Sequence, residues 1–276
     1  MIMNSVNTNV GAMIALQNLN ATNTELSITQ NRINTGMKVG SAKDDGATWA
    51  IAQGQRATIM SLDAVKDSLN RVSSIIDVAV AAGEQVSDLL VQMKQKALAA
   101  SDASLDTTSR TALNEDFKAL RDQIAKVVAN ADFNGGNLIK TGATDMAALA
   151  NANGSSRLTV KAQVLALGGA NVTVAATASF ATAAAASTLA GTVDASITNV
   201  SAALAKLGTS SKSFAMHMSF VGKLQDTLSA GVGNLVDADL AKESARLQAL
   251  QTKQQLGVQA LSIANQTPQS ILALYR

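Results

Sequence analysis

Few residues in this chain could do chemistry, and they are scattered. The single histidine, His217, sits between Met216 and Met218, and there is no cysteine. A zinc site at His217 would have to be completed by carboxylates alone, so the expectation is a hydrogen-bonded histidine at a helix surface or interface. One histidine also excludes an H-E-x-x-H metalloprotease motif, which needs two. Asp44-Asp45 offers two adjacent carboxylates, but they precede the helix-forming run Ala47-Thr48-Trp49-Ala50-Ile51. There they are placed to accept free N–H groups and complement the helix dipole. Asp237 and Asp239 stand in the same relation to the last helical run, as caps, with an interface salt bridge as the sharper reading. Gly231-Val232-Gly233 has no P-loop around it, and no G-x-S-x-G occurs. These residues support no catalytic role, no cofactor and no metal. Trp49, the only tryptophan, reads as a packing anchor, and Tyr275, in an apolar C-terminal run, as a contact that another chain covers.

The elements that carry these residues are helices. Aromatic residues make up 3% of the chain and there is one proline, Pro268, while alanine is abundant. Alanine loses no side-chain entropy in a helix and proline breaks one, so the composition favours long helices meeting at narrow seams. Basic and acidic residues number 22 and 20 without a basic block, which excludes a nucleic-acid footprint. The uncharged stretch 162–193 contains Gly168-Gly169, Asn171 and many Ser and Thr, so it reads as an insert rather than a membrane span. The first residues show no basic and apolar signal pattern, which implies either cytosolic residence or a route other than the general secretory one.

Heptad spacing is the strongest signal. Leu62, Val65, Leu69, Val72, Ile76, Ala79, Gly83, Val86, Leu90, Met93, Ala97 and Ala100 alternate in steps of three and four, with only Gly83 breaking the apolar run. Leu113, Phe117, Leu120, Ile124, Val127 and Ala131 repeat the rule. A third run reaches from Ile197 through Leu204, Phe214 and Val221 to Leu235. The expected fold is mainly α, an elongated antiparallel helical bundle with coiled-coil seams. Leu158, Val160, Ala162 and Val164, then a turn at Gly168-Gly169, then Val172 and Val174 predict one small β-hairpin insert, dispensable for assembly. The tract 175–192 is a low-complexity connection.

The two ends differ in kind. Ala12, Leu16, Leu19, Leu26, Ile33 and Met37 keep a heptad with Asn23 and Gln30 in the seam, and Leu240, Leu247, Leu250 and Leu261 recur among glutamines. Such helices bury too little to stand alone and are expected to order on another surface.

The residues at these ends resemble those of the bacterial flagellins. Val6-Asn7-Thr8-Asn9 and Leu16-Gln17-Asn18-Leu19-Asn20 are similar to the family's opening INTN and following N-L-N. Asn31-Arg32-Ile33-Asn34-Thr35-Gly36 with Ser41-Ala42-Lys43-Asp44-Asp45 resembles R-L-S-S-G…S-A-x-D-D, and Asp132-Phe133-Asn134-Gly135 matches x-F-N-G. Asp237-Ala238-Asp239-Leu240-Ala241-Lys242-Glu243 and Ala264-Asn265-Gln266-Thr267-Pro268-Gln269 resemble D-A-D-x-A-x-E and A-N-Q-x-P-Q.

The resemblance implies a non-enzymatic, extracellular subunit of the flagellar filament that serves swimming motility. Segments 1–40 and 236–276 would form the inner coiled coil, 41–140 and 190–235 a helical shell, and 141–189 a short insert in place of bulky outer domains. Leu16, Leu19, Leu26, Ile33, Leu240, Leu247, Leu250, Leu261 and Tyr275 would supply the assembly interface. The partners implied are further copies of the chain, the flagellar export apparatus, the cap and hook-junction proteins and an export chaperone, with neither nucleic acid nor membrane. A hook–filament junction protein is the alternative, and a coiled-coil adhesin a more distant one. Where the family reads Q-R-x-R-E-L-A-V-Q, this chain carries Gln92 and Gln95 in place of two charges, so weak recognition by a Toll-like innate receptor is expected. Ser and Thr near 101–109 and 177–201 are candidate O-linked acceptors.

Overall fold

The computed structural model describes residues 8–274 and the side chains of residues 8–266. Among them are five α-helices, α1 (Val10–Thr35), α2 (Gly46–Ala100), α3 (Thr107–Asn130), α4 (Ala183–Val236) and α5 (Leu240–Leu274), with strands β1 (Met146–Leu149) and β2 (Arg157–Val160). No helix among the described residues is long and apolar enough to cross a membrane. The helix ends follow local chemistry. Asn9 caps α1 by accepting from the Ala12 N–H, Gly36 closes it in the left-handed conformation at φ 70°, and Asp106 caps α3 through the Ser109 N–H. The chain divides into two compact units, Met1–Ala57 with Thr227–Arg276, and Thr58–Asp226.

The Thr58–Asp226 unit is a helical bundle with a mainly apolar buried core. All twelve positions of the first predicted seam are buried, from Leu62 to Ala100. On α4 the side chains of Val193, Val200, Leu207, Phe214 and Val221 are buried at seven-residue intervals, with Ser196 and Ala203 between them. The α3 stripe sits one residue off the prediction at two places. Asn114 and Val128 are buried where Leu113 and Val127 are half-exposed; Asn114 Oδ1 accepts from the Phe180 N–H at 2.8 Å, and the Val128 carbonyl accepts from Asn137 Nδ2 at 2.9 Å. Phe117 and Phe180 meet edge to face there, with ring centroids 5.3 Å apart.

Cross-links fix antiparallel directions. Lys66 Nζ donates to Gln225 Oε1, and Lys94 pairs with Asp194, which aligns α4 against α2; Lys96 pairs with Asp116, which aligns α3. A Cβ on Gly83 would lie 2.6 Å from Leu204 Cδ2 and 3.2 Å from Leu165 Cδ1, so the break in the apolar run is what admits both leucines.

The hairpin is not where the alternation placed it. β2 pairs antiparallel with the upstream β1, Met146 opposite Val160 and Leu149 opposite Arg157, across a turn containing Asn151, Asn153 and Gly154. Gly168-Gly169 does form a turn, with φ 72° at Gly168, but Val172 and Val174 lie outside any strand. Val160, Leu165, Val172 and Val174 are each fully buried. The insert is therefore part of the core of its unit, and the expectation that it can be dispensed with is withdrawn. The alanine-rich half of the 175–192 tract forms the first turns of α4, in keeping with alanine's helix propensity.

Candidate assembly surface

The Met1–Ala57 and Thr227–Arg276 unit is built around α1 and α5, which pack antiparallel along their length. Asn9 Nδ2 donates to the Ala264 carbonyl at 2.7 Å, Gln254 Nε2 to Asn23 Oδ1 at 2.7 Å, and Arg32 Nη1 to Glu243 Oε1 at 3.1 Å. The turn after α1 is tied to the end of α4 by main-chain bonds, Lys38 N–H to Val236 O at 2.6 Å and Ala238 N–H to Gly36 O at 2.9 Å.

The seam within this pair corrects the sequence expectation. Thr22 and Thr29 are the buried residues of α1, while Asn23 and Gln30 are exposed. Leu19, Leu26 and Ile33 flank the threonines, half-buried, in steps of three and four. On α5 the matching stripe is Glu243, Leu247, Leu250, Gln254, Gly257, Leu261 and Ala264, of which only Glu243 and Leu250 are buried. Leu16 and Leu240 lie off the seam, 48% and 50% exposed. Tyr275 lies outside the described residues.

Pattern reading missed several further open apolar side chains on these two helices. Val10, Met13, Ile14 and Ile28 on α1, and Leu256, Val258 and Ile263 on α5, are exposed large hydrophobics. They lie off the three-and-four stripe, so a search for one seam passes over them; a count of apolar residues on every helical face would find them.

Glu243 is 8% exposed, and its second oxygen, Oε2, has no hydrogen-bond partner. Arg32 is thus the charge that makes its burial tolerable. The acidic turns are structural. Asp45 Oδ1 accepts from the Ala47 and Thr48 N–H groups at 3.1 Å, and Asp239 Oδ1 accepts from Ala241 and Lys242 at 3.1 Å. Asp44 Oδ2 accepts from the main chains of Gly40 and Ser41. The main-chain and hydroxyl bonds from Ser41 hold Asp44 below the ordinary aspartate value of 3.8, and the Thr48 hydroxyl and main chain do the same for Asp45. His217 Nε2 hydrogen-bonds to Ala150 O at 2.8 Å, tying α4 to the hairpin loop. Phe133-Asn134-Gly135-Gly136 is a tight turn with φ 53° at Asn134 and 80° at Gly135. No group of three or more potential metal ligands occurs among the described residues.

Two terminal helices that hold each other, yet leave a run of large apolar side chains in water, define a helical assembly subunit completed by other chains. The description "Bacterial flagellin N-terminal helical region" matches residues 6–144, and "Bacterial flagellin C-terminal helical region" matches residues 190–275. The chain is 61% identical to Flagellin FljM and 60% identical to Flagellin FljK of Caulobacter vibrioides, covering all of each protein and all of itself. It is 37% identical to a flagellin of Brucella melitensis over 99% of this chain and 100% of that protein. The chain belongs to the flagellin family. It is a structural subunit that self-assembles into the extracellular flagellar filament for swimming motility, and these matches do not favour the junction or adhesin readings.

Proposed function

We propose that the subunit polymerises through its paired terminal helices and does no catalysis. Segments 1–40 and 236–276 make the inner layer of the filament, 41–140 and 190–235 its shell, and 141–189 an insert in that shell. Leu16, Leu19, Leu26, Ile33, Leu240, Leu247, Leu250, Leu261 and Tyr275 serve the assembly interface. Within that set, Leu250 acts by holding α1 to α5, and Leu16 and Leu240 by meeting a neighbour. The chain reaches the cell exterior unfolded through the flagellar export apparatus, attended by an export chaperone, and is placed between the hook-junction proteins and the cap.

One observation carries this reading: among the described side chains, five large hydrophobics of α1 (Val10, Met13, Ile14, Leu16, Ile28) and four of α5 (Leu240, Leu256, Val258, Ile263) are exposed in the single chain. Covering apolar surface is worth roughly 25 cal/mol per Å2, so a neighbour that covers them is held without any charged contact. Seeded growth followed by electron microscopy tests it. A chain lacking residues 1–36 and 240–276 is expected neither to polymerise nor to extend seeds; filaments from that core would defeat the proposal.

A further inference from the structure

The α1–α5 pair has two unlike faces. On one, a groove of about 440 Å3 runs between the helices, walled by Leu19 and Leu256 and floored by Gly257 and Ala260, with Asn18 and Lys253 at its rim. It is open because the floor residues are short. A Cβ on Gly257 would already stand 3.3 Å from Leu19 Cδ1, so the helices meet closely there and leave space above. The other face carries an apolar ridge. A helix turns about 100° per residue, so Leu16 lies roughly 200° from Asn18, and Val258 about 200° from both Leu256 and Ala260. Leu16 and Val258 are 48% and 54% exposed. The register that sets Leu19 beside Gly257 brings these two to neighbouring levels, behind the groove. Met13, one turn from Leu16 and also exposed, extends the ridge on one side, and Asn23 and Gln254, bonded to each other, bound it on the other.

We propose that the groove is the socket for the Leu16–Val258 ridge of a second copy of this chain. This rests on assembly through the terminal helices and adds which surface meets which. A contact that propagates into a helical polymer joins two different patches of one subunit, whereas a two-fold contact would join a patch to itself. An apolar hollow on one face and an apolar knob on the other, at similar heights along the same helix pair, meet that requirement.

The test measures the critical concentration for extension of wild-type seeds, by sedimentation with electron microscopy. Ala260→Leu fills the hollow and Leu16→Ala shortens the knob; each is expected to raise the critical concentration about tenfold, the cost of leaving one leucine uncovered. In the double variant a filled hollow meets a shortened knob, and assembly is expected to return to within about threefold of wild type. Leu16 is half-exposed in the monomer, so its truncation carries the test without disturbing the fold. Losses that simply multiply in the double variant overturn the proposal. So do single variants that extend seeds like wild type; if the chain without 1–36 and 240–276 still fails to extend them, assembly through the terminal helices stands and only the socket is lost.

Discussion

The three-and-four spacing appears in both units of this chain and is filled in opposite ways. Between Thr58 and Asp226 it holds Leu62, Leu69, Ile76, Leu90 and Met93, all buried, faced by Phe214, Leu207 and Val200 of α4. In the α1–α5 pair the same spacing mixes half-buried Leu19, Leu26, Ile33, Leu247 and Leu261 with Thr22, Thr29, Glu243, Gln254 and Gly257, and Leu250 is the one large aliphatic of the stripe that is buried among the described residues. The first filling excludes water and stabilises its unit by itself. The second fixes direction and register through paired polar groups while only partly burying its leucines, and other large aliphatics of the same helices, such as Met13, Ile14, Val258 and Ile263, are exposed. A seam can therefore specify a partner without providing most of the stability, much as a buried polar residue sets the register of a coiled coil at some cost.

The comparison breaks most severely if the self-sufficient unit loses the segment that closes its core. Deleting 158–174 removes Val160, Leu165, Val172 and Val174, each worth about 1.5–3 kcal/mol of burial, against a total stability of roughly 5–15 kcal/mol for a typical domain. Loss of the cooperative thermal transition is the expected result, and a transition kept within a few degrees of wild type would show that the bundle stands without the insert.

A smaller change separates the two units. Arg32→Ala leaves Glu243 buried with neither oxygen partnered. It should cost the α1–α5 pair about 2–3 kcal/mol, below the range for fully buried pairs because the Arg32 side chain is 28% exposed. Hydrogen exchange should quicken in α1 and α5 while residues 62–100 keep their protection. Gly83→Ala acts the other way round. Its methyl would press on the ends of the Leu204 and Leu165 side chains, but alanine gains about 0.5–1 kcal/mol over glycine within a helix, so the net cost should be at most about 1 kcal/mol in the bundle and nothing in the terminal pair, as urea titration followed by circular dichroism would report.

Acid has the mildest effect. Asp44 and Asp45 are depressed in the folded chain, so their contribution is complete above the ordinary value of 3.8 and is lost as pH falls through their lower folded values. Protection at 40–48, relative to intrinsic exchange, should therefore fall below pH 3.8, as it should at the turns of Asp102, Asp106 and Asp145, whose carboxyls are depressed by similar bonds, while the buried α2 seam keeps its protection.

Much of this was legible in the sequence where a pattern was dense. Twelve consecutive heptad positions on α2 admit one register, and all twelve are buried, Gly83 included. The terminal seam was misread because it is sparse. Leu16 and Met37 fit a heptad that also holds Asn23 and Gln30, and nothing in spacing alone favours Thr22 and Thr29, whose methyl groups are small enough for a close helix pair. The hairpin was displaced for a related reason. Met-Ala-Ala-Leu, the β1 segment, shows no alternation, since only Ala148 is buried, whereas Val172 and Val174 alternate yet make no strand, Val172 forming only an isolated bridge to Leu167. Knobs and hollows on the terminal helices stayed hidden because exposure depends on which face the partner helix takes.

The bond from Asn9 to Ala264 spans 255 residues of chain. Contacts that far apart are kinetically late, since the entropy of closing the loop is spent before any of them forms. A chain emerging end first, from either terminus, can fold its middle while one end is still waiting for the other. Groove and ridge both need α1 beside α5, so neither exists until the last helix has emerged. A prematurely terminated chain would then carry a folded bundle and no sockets, and the growing polymer would reject it without any separate inspection step.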